Sequence, residues 1–153
     1  MSLKRAMKEF ELFQNYPIDD IKVRLVDNND YRHWKGIIKG PIDTCYQGGI
    51  FIIDIIIPNE YPLMPPKMKF DTKVWHPNVS SITGEICLNI LGEEWSPSLT
   101  IRTTLLSIQV FLGYPNPEEP KDVFVAKQYI SNIKLFKETV KKWVEIYASH
   151  ENL

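Results

Sequence analysis

The sequence predicts an α+β domain: an N-terminal helix, a four-stranded antiparallel meander sheet, an irregular segment, then three helices. Three observations carry that expectation. Apolar residues recur at helical spacing near both ends, four short apolar runs between residues 21 and 70 are separated by turn chemistry, and residues 71–100 keep no lasting period. At 153 residues, 44% hydrophobic and 24% charged, the chain fits a single soluble domain spanning 1–153.

The elements follow in order. Leu3, Ala6, Met7, Phe10 and Phe13 mark the core stripe of the first helix, and Pro17 closes it. Strands are expected at 21–26, 34–39, 50–57 and 67–70, punctuated by Asp27-Asn28-Asn29-Asp30, Gly40-Pro41, Gly48-Gly49 and Pro58. The third run is almost uniformly apolar, which predicts cover on both of its faces. Four prolines between residues 58 and 66 make a stiff loop with few backbone donors. Thr100 is placed to cap a helix whose stripe is Ile101, Leu105, Ile108 and Leu112, stopped by Gly113 and Pro115. A short helix starts near Asp122, and the last carries Phe136, Val140, Trp143 and Tyr147 toward the core. Trp34, Trp75, Trp95 and Trp143 are read as core residues.

Several function classes lose ground on composition. A net charge of −1 gives no bulk electrostatic case for nucleic acid or an anionic membrane. No apolar run reaches the length of a spanning helix, and residues 1–8 lack the apolar core of a signal peptide. Two cysteines, Cys45 and Cys87, are too few for a disulfide framework or a tetrahedral zinc site, so a reduced intracellular compartment and no metal are expected.

The irregular stretch holds the chemistry. Long irregular segments inside small domains are usually functional, and this one runs Trp75-His76-Pro77-Asn78 to Cys87-Leu88-Asn89. Pro77 fixes its own φ and biases His76 toward an extended backbone, so Asn78 is presented from a stiff turn. An amide and a thiol on one short segment can pair a sulfur nucleophile with an oxyanion donor. A turn asparagine can equally bond its own backbone. His76 is read as structural, its imidazole holding the turn by backbone hydrogen bonds. Between Val74 and Pro120 the acids are Glu85, Glu93, Glu94, Glu118 and Glu119, and apart from histidine the sole base is Arg102. That surround lacks the positive field with which thiol proteases ionise their cysteine. It would instead attract an amine.

His76-Pro77-Asn78, Cys87-Leu88 and Trp95-Ser96-Pro97 together resemble the core of the ubiquitin-conjugating enzymes. Tyr61-Pro62-Leu63-Met64-Pro65-Pro66-Lys67 resembles the family's proline loop, Tyr46-Gln47-Gly48-Gly49 its turn before the third strand, and Pro115-Asn116-Pro117-Glu118-Glu119-Pro120 its acidic loop. The resemblance runs from about Leu3 to Tyr147. The loop from Val79 to Gly84 is similar to that of the chain-building subgroup, whose members carry a C-terminal ubiquitin-associated domain.

The resemblance implies roles residue by residue. Cys87 would accept ubiquitin from the activating enzyme as a thioester and pass it to a lysine. Asn78 would donate to the oxyanion or brace the loop, and Glu119 would orient the attacking lysine or stand as an ordinary exposed glutamate. Asn89 replaces an aspartate common after Cys-Leu. Leu63, Pro97 and Ser98 map onto loops that dock RING-type or HECT-type ligases, while Lys4, Arg5 and Lys8 resemble the basic face used toward the activating enzyme. No cofactor is implied. The expected partners are ubiquitin, the activating enzyme, ligases and protein substrates, with neither nucleic acid nor membrane, for a monomer in cytoplasm or nucleus. Rival readings are the same chemistry with a ubiquitin-like modifier, a non-catalytic module of this fold, and a cysteine hydrolase.

Overall fold

The structure, a computed structural model, describes residues 2–149. Chain order is α1 (Ser2–Asn15), β1 (Ile21–Leu25), β2 (His33–Lys39), β3 (Ile50–Ile56), β4 (Lys67–Phe70), a 3-10 turn (Asn89–Leu91), α2 (Ile101–Leu112), α3 (Val123–Ser131) and α4 (Ile133–Tyr147). The four strands pair antiparallel in sequence order, as the turn chemistry between the runs requires.

Alternation along the strands divides the sheet into two faces. Trp34 and Ile38 of β2 and Phe51, Ile53 and Ile55 of β3 are buried in the core. Gly36 shares their face, and a Cβ there would lie 3.2 Å from both Ile55 Cδ1 and Leu105 Cδ2. Its missing side chain leaves room for Leu105 of α2 to pack closely on β2. Trp34 is sealed under α1, its ring edge-on to Phe10 at 5.2 Å and to Phe13 at 6.3 Å, with Nε1 donating to the Tyr31 carbonyl at 2.6 Å.

Three expectations are corrected. β3 is covered on one face only: Ile56 is 44% exposed and Ile52 half-buried. Asp54 lies between them, bonded by Lys35 Nζ and His33 Nε2, each at 2.7 Å, so a charge pair stands where a covering layer was expected. On α1, Leu3 and Met7 are exposed, and the buried face is Ser2, Ala6, Glu9 and Phe13. The helix turns this way because a buried carboxylate must meet its donors. On α4, Phe136 and Val140 are buried but Trp143 is half-buried and Tyr147 exposed. They run past the core as an aromatic row from Trp75, with ring separations of 4.9 and 5.2 Å. Of the tryptophans, Trp34 alone is fully buried; Trp75 and Trp95 are half-buried and pack against the core as expected, their indole N–H groups donating to Gln128 Oε1 and the Pro62 carbonyl.

Glu9 ties the layers together. Its Oε2 accepts from Arg5 Nε at 2.9 Å and from the Tyr61 hydroxyl at 2.5 Å, and its Oε1 accepts from the Ile101 N–H at 2.8 Å. Ile101 is the first residue of α2, where an unpaired N–H and the helix dipole both favour a carboxylate. Thr100 caps the same end, with Thr103 completing a capping box. Arg5 Nη2 reaches on to the carbonyls of Pro97 and Leu99, both at 2.9 Å. Burial, and then its bond to Glu9, push the Tyr61 hydroxyl well above its ordinary pKa, so it stays a donor. Replacing Glu9 with alanine strands three donors at once. Glu9→Ala is expected to lower the unfolding free energy by about 3 kcal/mol or more, read as a lower urea midpoint at unchanged slope. A loss under about 1 kcal/mol would show that the clasp is not structural.

Candidate active site

The segment after β4 folds back on itself in a tight arch. Isolated bridges join His76 to Val79, Val79 to Ile86, and Lys69 to Glu85. Gly84 closes the arch with φ +79°, and a Cβ there would lie 2.0 Å from the Phe70 carbonyl oxygen, so only glycine fits. The loop tip is pinned from outside. Asp122 caps α3 through the Val125 N–H at 3.2 Å, while its Oδ2 accepts from Ser81 N and Oγ at 3.0 and 2.6 Å. Burial opposes ionisation of Asp122, but these bonds outweigh it and hold the carboxyl below its ordinary pKa.

His76 is fully buried between Tyr46 and Phe111, with ring centroids 5.8 and 5.1 Å away. Its Nδ1 accepts from the Asn78 N–H at 3.0 Å and Nε2 faces the Phe111 carbonyl at 3.1 Å, which sets the neutral tautomer with the proton on Nε2. Burial lowers its pKa to about 4. The ring holds the turn and has no free nitrogen for chemistry.

Asn78 is almost completely buried, and its carboxamide is spoken for. Nδ2 donates to the carbonyls of Asn116 and Glu119 at 2.8 and 2.9 Å, and Oδ1 accepts from the Asn116 N–H at 2.8 Å. Its backbone carbonyl accepts from the Cys87 N–H at 2.8 Å. One residue therefore ties the thiol's backbone to the acidic loop. Of the two anticipated uses of this amide, bracing is the one its contacts match, since both Nδ2 protons point at backbone carbonyls.

Cys87 is half-buried at a depression of about 190 Å³, which Asn78, Asn89, Glu94, Phe111, Asn116 and Glu119 help to line. Glu119 and Asn89 are exposed, Pro77 is buried, and the Pro77 carbonyl accepts from the N–H groups of Lys121 and Asp122. Thiol and acid thus share one opening. Lys121, one residue past the acidic stretch, pairs with Glu85 at 3.0 Å. Cys45 is half-buried between β2 and β3, in a separate cavity with Tyr129 and Phe136.

The remaining candidates divide. Leu63 is 74% exposed, and Pro97 and Ser98 are exposed on the neighbouring loop, the two loops being joined through Trp95 Nε1 and the Pro62 carbonyl. Lys4 and Lys8 project from α1. Arg5 does not join them: its guanidinium is turned inward to Glu9, Pro97 and Leu99, and sits over the Tyr61 ring at 5.4 Å. Sequence reasoning missed Asn116, whose backbone receives the Asn78 clamp, and the second task of Asp122. An Asn between two prolines in an acidic loop was the available signal for the first, and a cap residue facing a serine-rich loop for the second.

The buried imidazole gives a pH signature. Between pH 6.5, its ordinary value, and about 4 the unfolded chain binds a proton here that the folded chain refuses. Stability present above 6.5 is therefore lost as pH falls, by about 3 kcal/mol at pH 4 from this group. NMR titration of the His76 ring should give a midpoint near 4, and a midpoint near 6.5 would contradict the assigned burial.

Comparison with known proteins agrees with this geometry. Residues 5–144 match the family described as "Ubiquitin-conjugating enzyme". The human ubiquitin-conjugating enzyme E2 K is 46% identical over 146 residues, covering 95% of this chain and 72% of that protein. The Schizosaccharomyces pombe ubiquitin-conjugating enzyme E2 1 is 49% identical over 146 residues, covering 95% of this chain and 67% of its own. Among solved structures, the E2 domain of a Toxoplasma gondii ubiquitin conjugating enzyme superposes with a TM-score of 0.88 at 51% identity, over 95% of this chain and 97% of that one. With its fold, its arch and its relatives in accord, the chain belongs to the ubiquitin-conjugating enzyme family.

Proposed function

We propose that Cys87 carries the activated ubiquitin. Its thiolate attacks the thioester carbonyl on the activating enzyme, displacing that enzyme's thiolate and forming a new C–S bond. A lysine ε-amine then attacks the same carbonyl carbon. The C–S bond breaks, Cys87 leaves as thiolate, the amine's proton passes to Glu119 or solvent, and an isopeptide bond remains. The observation that carries this reading is a half-buried thiol and an exposed carboxylate at one opening, with His76 sealed and both its nitrogens engaged. A cysteine hydrolase needs an imidazole beside its sulfur. His33, the other described histidine, is bonded to Asp54 on the outer face of the sheet.

Roles follow from the contacts. Asn78, with His76 and Pro77 behind it, braces the arch. Glu119 and its acidic neighbours draw and orient the amine, and Asn89 offers an uncharged carboxamide at the rim where the family's aspartate would add charge. Leu63, Pro97 and Ser98 form a ligase-docking pair of loops for RING-type and, with leucine at 63, HECT-type ligases. Lys4 and Lys8 face the activating enzyme while Arg5 holds the docking loop. The 153 residues are read as one catalytic core acting as a monomer. No described helix is long and apolar enough to cross a membrane, and two free cysteines suit the reducing cytoplasm or nucleus.

Incubation with activating enzyme, ATP and ubiquitin should give a thiol-sensitive adduct, and Cys87→Ser should give a thiol-resistant ester. No adduct with ubiquitin would overturn the proposal, and an adduct only with a ubiquitin-like protein would change the modifier. Glu119→Ala should charge normally but discharge to free lysine at least about tenfold more slowly; an unchanged rate removes the carboxylate from the mechanism.

A further inference from the structure

A net charge of −1 conceals a strongly segregated surface. The outward strand positions hold six cations, Lys22, Arg24, Lys35, Lys39, Lys67 and Lys69, against one carboxylate, Asp54. Lys35 is spent on Asp54 and on Asp71 just beyond β4. The other five make no ion pair among the described residues, and Arg24 Nε is buried without a hydrogen-bond partner. Register spreads them over the whole sheet: Arg24 lies opposite Lys35, Lys35 opposite Asp54, and Asp54 opposite Lys69, while Ile56 lies opposite Lys67. Strands spaced by about 4.8 Å make this a patch roughly 15 Å wide. Half-buried Ile52 and exposed Ile56 stand among the charges on the same face.

We propose that the outer face of the sheet docks on anionic lipid headgroups, a surface function separate from the Cys87 chemistry. The cations stand on strand positions spread in two dimensions, which suits a planar array of negative charges better than one extended peptide. Isoleucines between them can enter the headgroup boundary while the lysines meet phosphate, the combination that interfacial binding uses. The anionic cytoplasmic leaflet is such a surface. None of the residues lining the Cys87 depression lies on a strand.

The test is co-sedimentation of the whole chain with vesicles of neutral phosphatidylcholine alone or with about one-third phosphatidylserine, at about 0.1 M salt. Binding is expected to the anionic vesicles alone and to weaken in high salt. Lys67→Glu with Lys69→Glu should cut it by at least about tenfold, at unchanged circular dichroism and melting temperature. Lys67→Gln with Lys69→Gln should fall between. The proposal is overturned if anionic vesicles bind no better than neutral ones, or if the reversed variant binds as well as the parent. It is also overturned if the face captures poly-glutamate but not vesicles, which would assign it to an acidic protein. Because the readout is sedimentation, it is independent of ubiquitin transfer by Cys87.

Discussion

Everything around the thiol hangs on the side chain of Asn78. The Asn78 carboxamide reaches across 38 residues to hold both backbone groups of Asn116, and its second proton holds the Glu119 carbonyl. Its main chain receives the Cys87 N–H. Buried amides left unpaired are costly, so these bonds are close to obligatory once the segment closes. The consequence is chemical. The sulfur comes from the segment after β4 and the carboxylate from the loop after α2, and this clamp keeps them at a common opening.

A second buried polar group does for the loops proposed to dock partners what Asn78 does for the thiol. Glu9 joins α1 to Tyr61 and to the first N–H of α2, and Arg5 extends the junction to the carbonyls of Pro97 and Leu99. The loops bearing Leu63, Pro97 and Ser98 are thus referenced to the same helix that positions Lys4 and Lys8. Rigid placement of this kind reduces the ordering cost of binding a partner. It also explains why Arg5, which reads in the sequence as one of three surface cations, is half-buried and turned inward.

The fold was legible wherever local chemistry and burial agree. Turn residues between apolar runs marked the meander, and Thr100 and Asp122 marked helix starts that the structure confirms. Reading failed where polar burial outbids periodicity. Leu3 and Met7 yield the inner face of α1 to Glu9, and Asp54 breaks an apolar strand that looked covered on both sides. At the site, the motifs showed which residues gather but not how they are spent. An asparagine nine positions before a cysteine left donor and brace both open, and the closing of residues 116–119 over it shows where both side-chain protons go. The ion pair of Lys121 and the second task of Asp122 were hidden for the same reason, since their partners Glu85 and Ser81 are distant in sequence.

The geometry of the site rests on that brace, and the direct measurement is hydrogen exchange of the Asn78 side-chain amide followed by NMR. Both Nδ2 protons, together with the Asn116 backbone amide, are expected to exchange far more slowly than an exposed carboxamide such as that of Asn89. Solvent-like exchange of the Asn78 protons would mean that the amide is free, and the clamp joining thiol to acidic loop would have to be abandoned.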